Sequence, residues 1–125
     1  MKAKFYKCNV CGNVVMITSE GGGPLSCCGQ PMTELKANTE DAAVEKHVPA
    51  VTVDGDSVKV QVGETAHPME DKHYIEWIYV DCECCGQIAY LKPGDEPKAE
   101  FNVECCKPSA VYAYCNLHGL WKKEL

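Results

Sequence analysis

The sequence has no long apolar run. Nothing in it approaches the ~20 consecutive apolar residues of a membrane-spanning helix. The opening residues, MKAKFYKCNVCG, have neither the apolar centre nor the cleavage site of a secretory signal. Basic runs are missing as well, and the formal net charge is −6. Nucleic acid and anionic membrane are therefore poor candidate partners. No segment shows a sustained helical period, and there is neither a low-complexity tract nor a convincing internal repeat. The chain has 125 residues, enough for one ordinary domain or for a small domain joined to a larger one.

What is abundant is cysteine, ten in all. In a secreted chain that count would indicate disulfides. Here the cysteines come as C-x-x-C and CC pairs, and no export signal accompanies them, so metal ligation in a reducing cytoplasm is the better reading. Residues 1–37 carry KCNVCGNVV and EGGGPLSCCGQPM, with too few apolar residues for a core, so a metal would have to stabilise this unit. Residues 38–44, NTEDAAV, are small and polar and read as a linker. From residue 45 the chain reads as strands. Val51 and Val53, then Val58, Val60 and Val62, alternate around a DGD turn, which signals a hairpin. YIEWIYV, IAYL, AEFNV and AVYAY are short and β-branched or aromatic. About seven such strands predict an all-β, immunoglobulin-like antiparallel sandwich over residues 45–125.

Two constellations carry chemistry. Cys8 and Cys11 form C-x-x-C before Gly12, and Cys27 and Cys28 form a CC pair before Gly29. Four thiolates favour a tetrahedral soft metal, iron or zinc, and only iron gives a redox role. Neighbouring side chains diverge, so the CC pair predicts a distorted site. The second constellation holds all four histidines, His47, His67, His73 and His118, each at an element edge, together with Cys115 three residues before His118. Taken singly, each histidine is better read as a surface residue. Taken together, four nitrogens and one sulfur exceed the four ligands of a closed zinc site. They suit a square-pyramidal iron with one open face and an axial thiolate. Two other readings compete. In one, Cys115 is a nucleophile and His118 its base, but no glycine-rich oxyanion turn or orienting third group is evident. In the other, Cys115 and His118 close a zinc site with two further histidines.

EKHVP, AHPMEDKHYIEWI and YCNLHGLWK resemble the superoxide reductase family, and CNVCG with CCGQPM resembles its two-iron subclass, desulfoferrodoxin. The resemblance covers nearly the whole chain. It implies a rubredoxin-like domain bearing one iron on Cys8, Cys11, Cys27 and Cys28, and a sandwich bearing a second iron on His47, His67, His73, His118 and axial Cys115. It implies that Glu45 occupies the sixth position in the ferric state and that Lys46 attracts superoxide. The implied reaction is one-electron reduction of superoxide to hydrogen peroxide in a cytoplasmic homodimer, with a rubredoxin as electron donor. An electron carrier or redox sensor, or a zinc-stabilised binding module, are the alternatives from other classes. Cys82, Cys84, Cys85, Cys105 and Cys106 lie outside these motifs. If the strands from 74 to 114 are consecutive antiparallel neighbours, these five meet at one end of the sandwich as a separate thiol patch.

Overall fold

The computed structural model describes residues 3–104 and 106–125, so Cys105 lies outside the described residues. The chain divides into two compact units, Met1–Lys36 and Ala37–Leu125. The protein is nearly all β, and among the described residues no helix is long and apolar enough to cross a membrane.

The first unit is a rubredoxin-like four-cysteine fold. Strands β1 (Phe5–Lys7), β2 (Val14–Met16) and β5 (Thr33–Glu34) form a small antiparallel sheet in the order β2-β1-β5. Strands β3 (Ser26–Cys27) and β4 (Gln30–Pro31) form a separate hairpin. The first turn carries Cys8 and Cys11, and the hairpin carries Cys27 and Cys28. Each strand is two or three residues long, because the sequence offers no longer alternation to extend it.

The second unit is a seven-strand antiparallel sandwich of immunoglobulin-like type. One sheet has the order β10-β7-β6, built from β6 (Pro49–Asp54), β7 (Ser57–Val62) and β10 (Lys98–Asn102). The other has the order β12-β11-β8-β9, built from β8 (Ile75–Cys82), β9 (Gly86–Tyr90), β11 (Pro108–Cys115) and β12 (Gly119–Glu124). The expected hairpin is β6–β7. Asp54 pairs with Ser57 across Gly55–Asp56, and Gly55 takes φ 59°, a left-handed conformation that glycine adopts without steric cost.

Strand alternation builds the core. Val58, Val60 and Val62 of β7, Ile78 and Val80 of β8, Phe101 of β10, and Val111 and Ala113 of β11 all join one buried cluster. The opposite side of β8 is covered too. Trp77 stacks on its cross-strand partner Tyr114 at 5.5 Å, and Tyr79 lies against Tyr112. Such cross-strand aromatic pairs each contribute roughly 0.2–1 kcal/mol.

Three features differ from the sequence reading. A four-residue helix, α1 (Val44–His47), lies where only linker and strand were expected, and it is too short to leave a periodic signal. The strands continue past residue 118 into β12. The polar stretch 38–44 begins tied to that strand: Asn38 accepts a hydrogen bond from the Lys122 N–H at 2.8 Å and donates its side-chain amide to the Lys122 carbonyl at 3.1 Å.

Candidate metal centres

The Cys8–Cys11 turn hydrogen-bonds on itself. Gly12 N–H donates to the Cys8 carbonyl and takes φ 83°. The Cys11 N–H points at the Cys8 sulfur at 3.5 Å. This backbone donation, helped by that of Val10, lowers the Cys8 thiol to about 6, so it is ready to ligate as thiolate. The CC pair solves its divergence by backbone conformation. Cys28 adopts φ 52°, and this left-handed twist brings its sulfur to 4.0 Å from that of Cys27. Cys11 and Cys27 sulfurs lie 3.7 Å apart, and all four sulfurs lie within 4.8 Å of one another. A tetrahedron with metal–sulfur bonds of about 2.3 Å has edges of about 3.8 Å, so the set fits such an ion. Hydrogen bonding among these crowded thiols, led by the one with Cys11, pushes Cys28 up to about 12. A cation would relieve that crowding.

In the second unit the chain brings its four histidines and Cys115 together from four separate segments. His47 ends α1. His67 lies in the loop after β7, its N–H bonded to the Val62 carbonyl at 2.7 Å. His73 precedes β8 in a turn where it exchanges backbone hydrogen bonds with Glu70. Cys115 ends β11, and His118 sits in the turn to β12. The four rings form a square in the order 47, 67, 73, 118. Neighbouring ring centroids are 4.5, 4.6, 5.1 and 5.0 Å apart, each pair is close to perpendicular, and the 47–73 diagonal is 6.4 Å.

Hydrogen bonding fixes which nitrogen two of the rings offer. His47 Nδ1 is 2.7 Å from the Ala43 carbonyl, and His67 Nδ1 is 2.7 Å from the Pro68 carbonyl. A carbonyl only accepts, so both Nδ1 atoms carry the proton and both Nε2 atoms present a lone pair. Those two Nε2 atoms face each other at 3.1 Å. His118 Nδ1 lies 3.2 Å from the same His47 Nε2. Burial lowers His67 to about 4 and lowers His47 and His73 as well, so none of the three takes up a second proton near neutral pH. His73 Nε2 is buried without a hydrogen-bond partner. Lone pairs converging on one point, with no proton between them, form a cation site. Two nitrogens each about 2.1 Å from an ion and at right angles about it lie about 3.0 Å apart, close to the spacings found here.

Cys115 completes the set, its sulfur 3.5 Å from His67 Nε2 and 3.9 Å from His118 Nδ1. Its side chain is fully buried, and burial raises its thiol, while the N–H groups of Leu117 and His118 act in the opposite sense. His118 stands at the rim. The sulfur and the ring nitrogens of His47, His67 and His73 lie within 4.8 Å of one another, and His118 joins through His47 and Cys115.

Glu45 and Lys46 are exposed on α1, immediately before His47. The Lys46 charge adds to burial in lowering both His47 and His73, so its field reaches the site. Two positioning residues lie inside the YCNLHGLWK stretch, but their types alone gave them no role. Asn116 accepts from the Tyr74 N–H at 2.9 Å and donates to the Lys72 carbonyl at 3.0 Å, clamping both neighbours of His73 to the Cys115 turn. Trp121, itself buried, lies 4.8 Å from the His47 ring and donates its indole N–H to the His118 carbonyl at 3.0 Å. A lone asparagine and a lone tryptophan have no spacing pattern that would betray them.

Residues 39–124 match the family model Desulfoferrodoxin, and residues 1–35 match Desulfoferrodoxin, N-terminal domain. The chain belongs to the desulfoferrodoxin family. A desulfoferrodoxin homologue of Archaeoglobus fulgidus is 55% identical over 94% of this chain and 93% of its own length. Among solved structures, the superoxide reductase of Treponema pallidum superposes with a TM-score of 0.82 at 30% identity, covering 99% of this chain and all of that one. The one-iron superoxide reductase of Giardia intestinalis matches 65% of this chain and 99% of its own, with a TM-score of 0.56 and 35% identity. The two superoxide reductase structures thus share with this chain the fold that here gathers the four histidines and the cysteine.

Proposed function

We propose that this desulfoferrodoxin is a superoxide reductase. It reduces superoxide by one electron, with uptake of two protons, to hydrogen peroxide. The observation that carries the reading is the set of five converging donors: His47, His67, His73 and His118 in a square, with the buried Cys115 sulfur beside it. Five donors are more than a closed structural zinc site uses. Iron bound there would supply the reducing electron and a Lewis-acidic position for the substrate oxygen. We assign a second iron to Cys8, Cys11, Cys27 and Cys28 as a closed four-sulfur centre. The likeness to a one-iron superoxide reductase that spans only part of the chain supports giving the reaction to one centre alone.

The protein's own residues divide the remaining work. The carbonyls of Ala43 and Pro68 hold the protons of His47 and His67 away from the centre, so the facing nitrogens stay donors. Asn116 and Trp121 fix His73, His118 and His47 in orientation. The chain as a whole is acidic and repels an anion, but exposed Lys46 reverses the field locally, within a Debye length of about 8 Å. Glu45, exposed on the same short helix, is the carboxylate we assign as a further oxygen donor that would hold the iron when no substrate is present. On the same family likeness, the electron donor is a rubredoxin, the protein works in the cytoplasm as a homodimer, and residues 38–44 join the two domains.

Stopped-flow mixing of the reduced, iron-loaded protein with superoxide tests the reading. The expected result is rapid appearance of the ferric iron–thiolate absorption, hydrogen peroxide formed mole for mole with superoxide consumed, and no dioxygen beyond that of spontaneous superoxide decay. Oxidation of the iron too slow to compete with spontaneous loss of superoxide would instead mark an electron carrier, and dioxygen released above that background would mark dismutation.

A further inference from the structure

The strongest unassigned feature is the second group of cysteines. Cys82 ends β8, Cys84 and Cys85 form its turn into β9, and Cys106 lies in the loop between β10 and β11. The expectation that these turns meet rested on consecutive neighbouring strands. That premise fails, because β10 belongs to the other sheet and β11 pairs with β8. The turns meet nonetheless, because β11 starts where β8 ends. Pro108 pairs with Cys82, and the Glu83 N–H reaches the Lys107 carbonyl at 3.4 Å. The other end of the same strand pair carries Cys115 opposite Ile75. An eight-residue strand separates the two ends by roughly 24 Å, so the cluster is distinct from the histidine site.

Three sulfurs converge here. Those of Cys84, Cys85 and Cys106 lie within 4.8 Å of one another, and Cys84 and Cys106 are joined as a disulfide with a Cα–Cα distance of 6.2 Å. Cys82 is buried in the sandwich core instead, while its N–H holds the turn through the Cys85 carbonyl at 2.9 Å. A second observation concerns the sequence. The tetrapeptide Cys84-Cys85-Gly86-Gln87 repeats Cys27-Cys28-Gly29-Gln30, the half-site of the four-sulfur centre in the first unit. The backbone differs, since Cys28 and Gly29 have positive φ and neither Cys85 nor Gly86 does. A third sulfur from the opposite loop takes the place of that twist in closing the cluster.

We propose that the reduced form of this cluster is a third metal site, in which Cys84, Cys85 and Cys106 hold a thiophilic d10 cation, zinc or cuprous copper. Three thiolates suit either ion, copper as a three-coordinate centre and zinc with one further ligand such as water. The disulfide is the metal-free, oxidised form. A dithiol reductant opens it by giving two electrons and two protons to the Cys84–Cys106 bond, leaving as its own disulfide. The thiols then lose their protons as the cation binds. The site lies on the surface side of the turn, where Cys84 is exposed and Cys85 and Cys106 are half-buried, so an ion can reach it.

Metal counting on the full iron-loaded chain tests this. The protein is reduced anaerobically with a phosphine, equilibrated with Zn²⁺ in one arm and Cu⁺ in the other, freed of loose metal, and analysed beside Cys85→Ser. That variant removes a ligand but leaves the Cys84–Cys106 disulfide able to form, so loss of binding is separated from loss of fold. The expected result is about one more zinc or copper per reduced wild-type chain than per variant chain, and none more in the unreduced wild type. Equal metal in wild type and variant in both arms, or an extra ion that survives in the disulfide form, overturns the proposal. Since the readout is total metal and not superoxide turnover, failure here leaves the reductase reading untouched.

Discussion

At the scale of single residues, the histidine site depends on protons held in the right place, and the proposed attraction of superoxide on one charge at its edge. The Asn116 side chain makes two hydrogen bonds that straddle His73. Asn116→Ala removes both, and outer partners of metal ligands typically contribute 10–100-fold in affinity. The variant is expected to lose iron from the histidine site at least about tenfold more readily to a chelator, with the four-cysteine chromophore unchanged. Equal retention would mean that the backbone alone positions His73. The role proposed for Lys46 is of a different kind. Lys46→Ala should slow the second-order reaction with superoxide by about tenfold at low salt and flatten its ionic-strength dependence, with iron still bound. An unchanged rate at low salt would remove Lys46 from the mechanism. His67 gives a test by pH in the metal-free protein. Its folded-state value is lowered to about 4 from an ordinary 6.5, so below 6.5 the unfolded chain binds the extra proton and the folded one does not. The stability that His67 contributes is therefore complete above about pH 6.5 and is lost as pH falls toward about 4. Urea midpoints of apo-protein should fall across that window, and less so in His67→Gln.

Elements decide how these residues meet, and here the sequence was legible in part. The ligand types and the C-x-x-C, CC and C-x-x-H spacings are chemical signals, so the two donor sets could be named before any fold was known. The hairpin of β6 and β7 and the aromatic strand β8 were also readable, because alternation and a glycine turn leave a periodic trace. Three things were not. Helix α1 is a single turn, shorter than any period it could display. Strand β12 reads GLWKKE, in which only Leu120 and Trp121 are buried, so its place comes from pairing with β11 and not from its own pattern. The left-handed Cys28 is a backbone choice that residue type does not announce. Gly63 shows how an element is docked. A Cβ there would lie 2.7 Å from the carbonyls of both Glu45 and Val48, and Thr65 N–H bonds the same Glu45 carbonyl at 2.9 Å. The loop after β7 thus presses directly on α1, which sets the distance between His47 and His67. Gly63→Ala should push the helix away, destabilise the protein by about 1–3 kcal/mol, and weaken iron at the histidine site with it. A denaturant melt together with an iron count checks both effects, and a variant as stable and as iron-rich as the wild type would refute the docking argument.

At the scale of the whole molecule, the two units differ in what holds them together. The sandwich buries residues from both sheets in one cluster and keeps aromatic pairs on its other side. The first unit, among its described residues, buries only Phe5 and Cys8. Two buried side chains contribute roughly 1.5–3 kcal/mol each, while fixing the backbone costs about 1–2 kcal/mol for every residue ordered. The missing stabilisation must come from the ion that its four sulfurs are arranged to bind, as in other small metal-dependent folds. Removing metal should therefore unfold the two units unequally. After acid or chelator treatment and return to neutral pH without metal, brief proteolysis is expected to cut within residues 3–36 first and to leave a resistant fragment that retains the seven strands. With iron restored to the four cysteines, the same sites should be protected. Mass spectrometry of the fragments decides the matter. Simultaneous digestion of both units would show that the sandwich needs its metal as much as the first unit does, and resistance of residues 3–36 without metal would show that its small sheets suffice.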